Sequence, residues 1–284
     1  MAQAATRDFP PCRVQAATFD GWSAEQMSNR WETLTLVPQL GGRLMQVKFG
    51  GHAYLFVNPK YRGQYIPPSE GAPAGKWFNY GGDKIWPMPE GDWDEQHWTG
   101  PLSDPLDDGV YVLKVLSQGA NCTVEMQGPA DPRTGLRYRR DITIGADNPE
   151  VRFHAVMENA AGYPITWSIQ SVSQYDLSDP ENPLSYNHNF WAYTPVNPES
   201  AYLNQFHVRA GLARDPSFAV KNNLFSLHWL YLQNEVWVDS PGGWVALVDG
   251  ASQFAMIERF HYDPHQNYPG KATVIFYKNG PMVS

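Results

Sequence analysis

Glu32-Thr33-Leu34-Thr35-Leu36-Val37 places Leu34 and Leu36 on one side of an extended chain and its threonines on the other. Successive strand side chains point to opposite sheet faces, so this period of two marks a half-buried antiparallel strand. The same alternation recurs in Cys122, Val124 and Met126 against Thr123, Glu125 and Gln127. It recurs again in Val151, Phe153, Ala155 and Met157 against Arg152, His154 and Glu158. Further strands are expected at Leu44–Phe49, Ala53–Val57, Val110–Leu116, Leu136–Ile144, Ile165–Gln174, Trp244–Val248, Phe254–Tyr262 and Ala272–Lys278. Turn signals punctuate them: Gly50-Gly51, Asp107-Asp108-Gly109, Asp131-Pro132, Asn148-Pro149, Pro241-Gly242-Gly243 and Asn279-Gly280. Only Ser23–Arg30 offers a short helical turn. The expected class is all-β, a large sandwich or barrel of mostly antiparallel strands.

Two stretches interrupt this rhythm. Tyr61–Leu106 carries Trp77, Trp86, Trp93 and Trp98, and Leu177–Asn234 mixes Pro, Asn and aromatic residues. Both read as long, aromatic-rich functional loops of one domain spanning residues 1–284, with 1–12 as a flexible N-terminal segment.

Composition narrows the function. Lys+Arg 21 against Asp+Glu 29 leaves a net charge of −8, which argues against a nucleic-acid partner that would demand clustered cations. No apolar run reaches the ~18–20 residues that span a bilayer, so no membrane partner is expected. Trp 11 and Tyr 15 suggest either ligands with apolar faces, such as sugars or nucleobases, or a large aromatic core. A P-loop, a Rossmann glycine pattern and Gly-x-Ser-x-Gly are all missing from the sequence. His261 and His265 stand four apart, but Pro264 breaks the helix that would align them. Neither a metal site nor a cofactor is expected. Cys122 reads as a buried free thiol or as the disulfide partner of Cys12. Met1–Thr6 resembles either the small-residue end of a cleaved signal or a frayed terminus. A periplasmic or secreted location is expected, with the cytoplasm left open. Oligomeric state is not readable.

The densest constellation is Asn79-Tyr80-Gly81-Gly82-Asp83-Lys84-Ile85-Trp86-Pro87-Met88-Pro89-Glu90. Asp83 and Lys84 supply an acceptor and a donor of the kind sugar hydroxyls require, and Trp86 a flat apolar face. A tight turn with an ion pair and a core tryptophan is the alternative. Asp92–Trp98 sets acids and His97 between indoles, as a sugar cleft, an oxygen-ligand cation site or a solvated loop. Gln170 and Gln174 share a strand face with Ser168 and Val172, as the lining of a cleft or a solvent face. Arg43 either braces a sheet or touches ligand. Glu258 lies among Phe254, Met256 and Phe260, as an inward functional carboxylate or an ion-pair partner.

Leu36–Leu44 with its Gly41-Gly42 pair, Tyr54–Pro59, and Gly81-Gly82-Asp83-Lys84-Ile85-Trp86-Pro87 occur in an order that resembles the galactose-mutarotase-like superfamily. The runs Trp167–Val172 and Phe254–Phe260 fit as well, so the resemblance covers roughly residues 30–280. It implies a β-supersandwich that binds a saccharide on its concave face. In its aldose 1-epimerases a carboxylate takes the anomeric proton and a histidine protonates the ring oxygen. By position Glu258 matches that carboxylate and His97 the first histidine, the two residues expected to be catalytic. Gln170 stands where the second histidine is expected and can hydrogen-bond but not donate a catalytic proton. Arg43, Asn79, Asp83, Lys84, Trp86, Gln170 and Gln174 are the expected substrate-binding residues. The resemblance admits 1-epimerase-like chemistry, a non-catalytic carbohydrate-binding module, or a domain that has lost the site. Relatives continue with further strands beyond the point matching Ser284.

Overall fold

Extended backbone dominates the computed structural model, which is 52% strand and 4% helix, with several antiparallel sheets. The all-β class is therefore as expected. The structure describes residues 9–68, 77–90, 98, 100, 103–179, 181–182, 185–230 and 232–278. His97, most of the Asp92–Trp98 run, the Asn279-Gly280 turn and residues 1–8 of the N-terminal segment lie outside them. The chain divides into two compact units, Met1–Asp176 and Leu177–Ser284.

In the first unit the strands are β1 (Arg13–Phe19), β2 (Trp22–Ser28), β3 (Glu32–Val37), β4 (Arg43–Phe49), β5 (His52–Ala53) and β6 (Asp83–Met88). A one-turn helix, α1 (Pro105–Asp108), precedes β7 (Val112–Ser117), β8 (Asn121–Ala130), β9 (Leu136–Gly145), β10 (Val151–Asn159) and β11 (Ser168–Ser173). One sheet runs β1-β2-β3-β4-β6-β11 with β5 attached to β4, and a second runs β10-β9-β8-β7. One core cluster gathers Trp22, Ala24, Val37, Leu40, Met45 and Tyr80, with Tyr61, Tyr65 and Phe78 packed against it. The two sheets are tied by Arg140 of β9, which reaches the carboxylate of Asp83 on β6, and by Asn29, which donates to the Gly145 carbonyl at 2.9 Å. Cys12 and Cys122 form a disulfide, the second of their two open alternatives, and Cys12, 1% exposed, also pairs with Gly119.

The alternation of β8 is borne out: Cys122, Val124 and Met126 are fully buried. That of β10 is not, because β10 is an edge strand and Phe153 remains 46% exposed. Ser23–Arg30 is no helical turn. Trp22, Ala24 and Met27 are the buried positions of β2, and their uneven spacing mimics a helical period. Part of the Tyr61–Leu106 stretch is likewise regular, since it holds β6.

The second unit contains β12 (Phe190–Pro195), β13 (Phe206–Gly211), β14 (Phe218–Lys221), β15 (Leu224–His228), β16 (Asn234–Val238), β17 (Trp244–Asp249), β18 (Phe254–Arg259) and β19 (Val274–Lys278). They form the sheets β14-β15-β12-β17-β18 and β13-β16-β19. The stretch expected as a loop from Leu177 to Asn234 thus contributes four strands and the start of a fifth. Its pattern is inverted in β12, where Ala192 and Thr194 are buried and Trp191 and Tyr193 stay half-exposed.

Candidate functional site

Pairing register brings the expected binding residues together in the first unit. Leu44 lies opposite Asp83, Val172 opposite Lys84 and Gln170 opposite Trp86. Directly opposed residues share a sheet face, so Lys84, Trp86, Gln170 and Val172 lie on one side and Asp83 on the other. Arg43, one residue before Leu44, falls on the Lys84 side.

A one-turn helix completes that face. Asp104 caps α1, accepting the Asp107 amide at 2.8 Å, and Pro105 opens the turn where its missing N–H costs nothing. Asp107 and Asp108 are thereby carried to Arg43, whose Nη2 donates to them at 3.0 and 3.3 Å. The approach depends on the Gly41-Gly42 pair. Gly41 has φ 64°, and a Cβ there would stand 1.8 Å from the Asp107 carbonyl oxygen. Only glycine meets both conditions at no steric cost.

The cluster is dry and densely charged. Arg43, Asp107 and Asp108 side chains are 0% exposed. Asp107 also accepts the indole N–H groups of Trp86 at 2.7 Å and Trp77 at 3.0 Å, while Trp98 donates to Asp104 at 3.2 Å. Burial works to raise the Asp107 carboxyl, but Arg43, Lys84 and the two indoles outweigh it and hold it below the usual range. Burial, then the neighbouring Asp107 charge, pushes Asp108 up to about 8 and Asp104 up to about 7. Burial, then the Arg43 charge, brings Lys84 down to about 7. Its Nζ lies 4.6 Å from the Trp86 ring and 5.1 Å from the Trp77 ring, and donates to Gln174 Oε1 at 3.4 Å. Among the described residues, Arg43 Nε and Nη1, Asp108 Oδ2 and Gln170 Oε1 are buried without a hydrogen-bond partner.

Several expected ligand contacts are engaged in the fold. Arg43 braces α1, the bracing alternative having prevailed. Both carboxylate oxygens of Asp83 are taken, by Arg140 and by the Ser173 hydroxyl at 2.7 Å, so Asp83 joins sheets instead of offering an open acceptor. Asn79 shapes its loop, its Oδ1 accepting the Gly81 amide at 3.2 Å and its carbonyl the Asn58 side chain at 2.8 Å. Trp86 is 7% exposed, with Lys84 against its ring and Trp98 5.1 Å away, so it presents no open stacking face. Trp77, half-buried, keeps part of its surface free. Gln170 and Gln174 are likewise part-exposed. Glu258 belongs to the second unit, on edge strand β18 opposite Val245, half-buried and engaged.

Asp104, Asp107 and Asp108 are site residues outside the expected set, Asp107-Asp108-Gly109 being expected only as a turn, and Trp77 is expected only as part of an aromatic-rich functional loop. An acid followed by proline is the N-terminal signature that marks the helix. Arg43, Lys84, Trp86, Gln170 and Gln174 do come together, as a buried ion cluster bordered by two part-exposed glutamines. No protein-family model matches the chain, and no curated protein matches it at a significant level.

Proposed function

We propose that the protein is a carbohydrate-binding member of the galactose-mutarotase-like superfamily and takes a saccharide on the face bordered by Gln170, Gln174 and Trp77. The observation that carries this reading is Gln170 Oε1, a polar atom kept from water without a partner among the described residues, on the sheet face that also carries Lys84 and Gln174. A buried acceptor without a donor costs roughly 1–3 kcal/mol, which a ligand hydroxyl would relieve. Side-chain amides are suited to hydroxyl recognition because each offers both a donor and an acceptor. The part-open Trp77 ring supplies the apolar face against which sugar C–H groups stack. The Cys12–Cys122 disulfide supports an oxidising, periplasmic or secreted location.

Titration calorimetry with a panel of mono- and oligosaccharides tests the proposal. Gln170→Ala and Trp77→Ala are each expected to weaken binding at least tenfold, whereas the same changes at exposed Ser171 leave it intact. No affinity for any saccharide in the folded protein rejects the reading. Turnover is the finer question. If the site performs the 1-epimerase chemistry that the resemblance implies, anomer exchange followed by NMR is accelerated. Binding without acceleration identifies a binding module.

A further inference from the structure

Two lysines are buried among the described residues, and they are treated differently. Lys278, in the second unit, is 2% exposed and has a carboxylate partner, Asp215 Oδ2 at 3.1 Å. A buried ammonium needs such a counter-charge to offset its desolvation. Lys84 is 1% exposed, yet no carboxylate lies within salt-bridge distance of its amine among the described residues. Among the described residues its one hydrogen bond goes to the Gln174 amide, two indole faces lie 4.6 and 5.1 Å from it, and Arg43, Asp107, Asp108 and Asp83 act on it through charge without a direct ion pair. The nearby carboxylate Asp107 is already occupied by Arg43, Trp77 and Trp86. An amine desolvated in this way, beside a fixed guanidinium, is the arrangement that activates lysine toward carbonyl compounds.

We infer that Lys84 is a nucleophile that forms an imine with the carbonyl carbon of a small hydroxy-aldehyde, the open-chain form of a reducing sugar. The sugar assignment rests on the saccharide reading above, whereas the nucleophile rests on the burial and pairing of Lys84. In the step the Nζ lone pair attacks the carbonyl carbon. Both amine protons leave with the carbonyl oxygen as water, and a C=N bond remains. No oxidant or reductant takes part. Gln174 orients the amine through its acceptor oxygen, and Gln170, whose Oε1 is unpartnered among the described residues, lies on the same sheet face for a substrate hydroxyl. Burial also brings the Lys84 amine to about 7, so at neutral pH its unprotonated fraction exceeds that of an exposed lysine on the order of a thousandfold.

The test is reductive trapping in the intact protein. Folded protein is incubated with glycolaldehyde and cyanoborohydride at neutral pH, and peptide mapping locates added hydroxyethyl groups. Lys84 is expected to be modified at least ten times faster than exposed Lys48, Lys60 and Lys114, and unfolding in urea should erase the preference. Label spread over exposed lysines with Lys84 unmodified overturns the inference, and this wild-type result needs no variant to fold. Adding a sugar alcohol separates the two proposals. Protection of Lys84 supports both, whereas preferential trapping that no saccharide slows upholds the nucleophile and rejects the sugar site.

Discussion

Replacing Arg43 by methionine should expose how the ion cluster is held together. Methionine keeps much of the arginine's aliphatic volume, so the change removes charge and donors more than packing. Breaking a buried pair by deleting one partner typically costs about 3–5 kcal/mol, because the other charge stays behind. Here two features bring the expectation to the low end. Asp108, pushed up to about 8, already binds a proton at neutral pH and loses little. Asp107 keeps the Trp86 and Trp77 indole donors at 2.7 and 3.0 Å. The expected destabilisation is therefore about 3 kcal/mol. Adding Asp107→Asn should restore more than half of it, since the orphaned charge is then gone. Urea denaturation followed by tryptophan fluorescence reads both values. A loss below about 1 kcal/mol, or strict additivity of the two substitutions, would refute the claim that Arg43 and Asp107 form one coupled unit.

Three further perturbations follow from the same geometry. Reducing Cys12–Cys122 reopens a span of 110 residues, which loop-closure entropy values at about 5 kcal/mol, so the midpoint of urea unfolding should fall sharply with reductant. Gly41→Ala, meeting the Asp107 carbonyl at 1.8 Å with φ 64°, should cost about 3 kcal/mol. Gly51→Ala, with φ 86° and nothing within 4 Å, should cost only the backbone share of about 1–2 kcal/mol, and equal losses in the two variants would remove the steric argument. Asp108 has a folded pKa near 8 against an ordinary value of 3.8, so its native form retains a proton that the unfolded chain releases. Its contribution to stability is therefore full below about pH 4 and lost as pH rises toward 8. Asp108→Asn should gain on the wild type in melting temperature across that interval, and a constant difference would contradict the assignment.

The all-β class was legible because β8 and β9 bury one face against a uniform core and keep a period of two, whereas β3, expected as half-buried, is buried on both faces, Glu32 and Thr35 included. Legibility failed where the chain buries polar groups. Thr194 is fully buried while Trp191 and Tyr193 stay half-exposed, so hydropathy points the wrong way along β12. β6 is buried at every position, Asp83 and Lys84 included, and shows no alternation to detect. The Gly41-Gly42 pair is legible only as part of the resemblance, and what approaches Gly41 is α1, a neighbour distant in sequence. Asp107 and Asp108 were hidden for a related reason. An Asp-Asp-Gly run has the same composition whether it turns in water or stands in a dry interior, and only the Arg43 contact 64 and 65 residues away tells which.

Tryptophan illustrates how composition leaves a residue's two capacities undivided. An indole offers a broad apolar face and one N–H donor, and the excess of indoles admits either a stacking surface for a ligand or a large aromatic core. Trp77, Trp86 and Trp98 are instead tied into the cluster by their N–H groups, each donating to a carboxylate of Asp107 or Asp104. A carboxylate buried beside another carboxylate needs neutral donors as well as cations, because a second cation would itself require a partner. Indole suits this need, since it donates without charge and fills the surrounding volume with apolar carbon. The consequence for the proposed saccharide site is a narrowing. With Trp86 and Trp98 committed and covered, ligand stacking falls to the part-open Trp77, whose N–H remains on Asp107. A ligand seated there would touch the ion cluster through that one ring, so Trp77→Phe, which keeps the face and removes the donor, should retain saccharide affinity while lowering stability by about 1–3 kcal/mol. Loss of affinity in that variant with unchanged stability would mean that the face is not what the ligand uses.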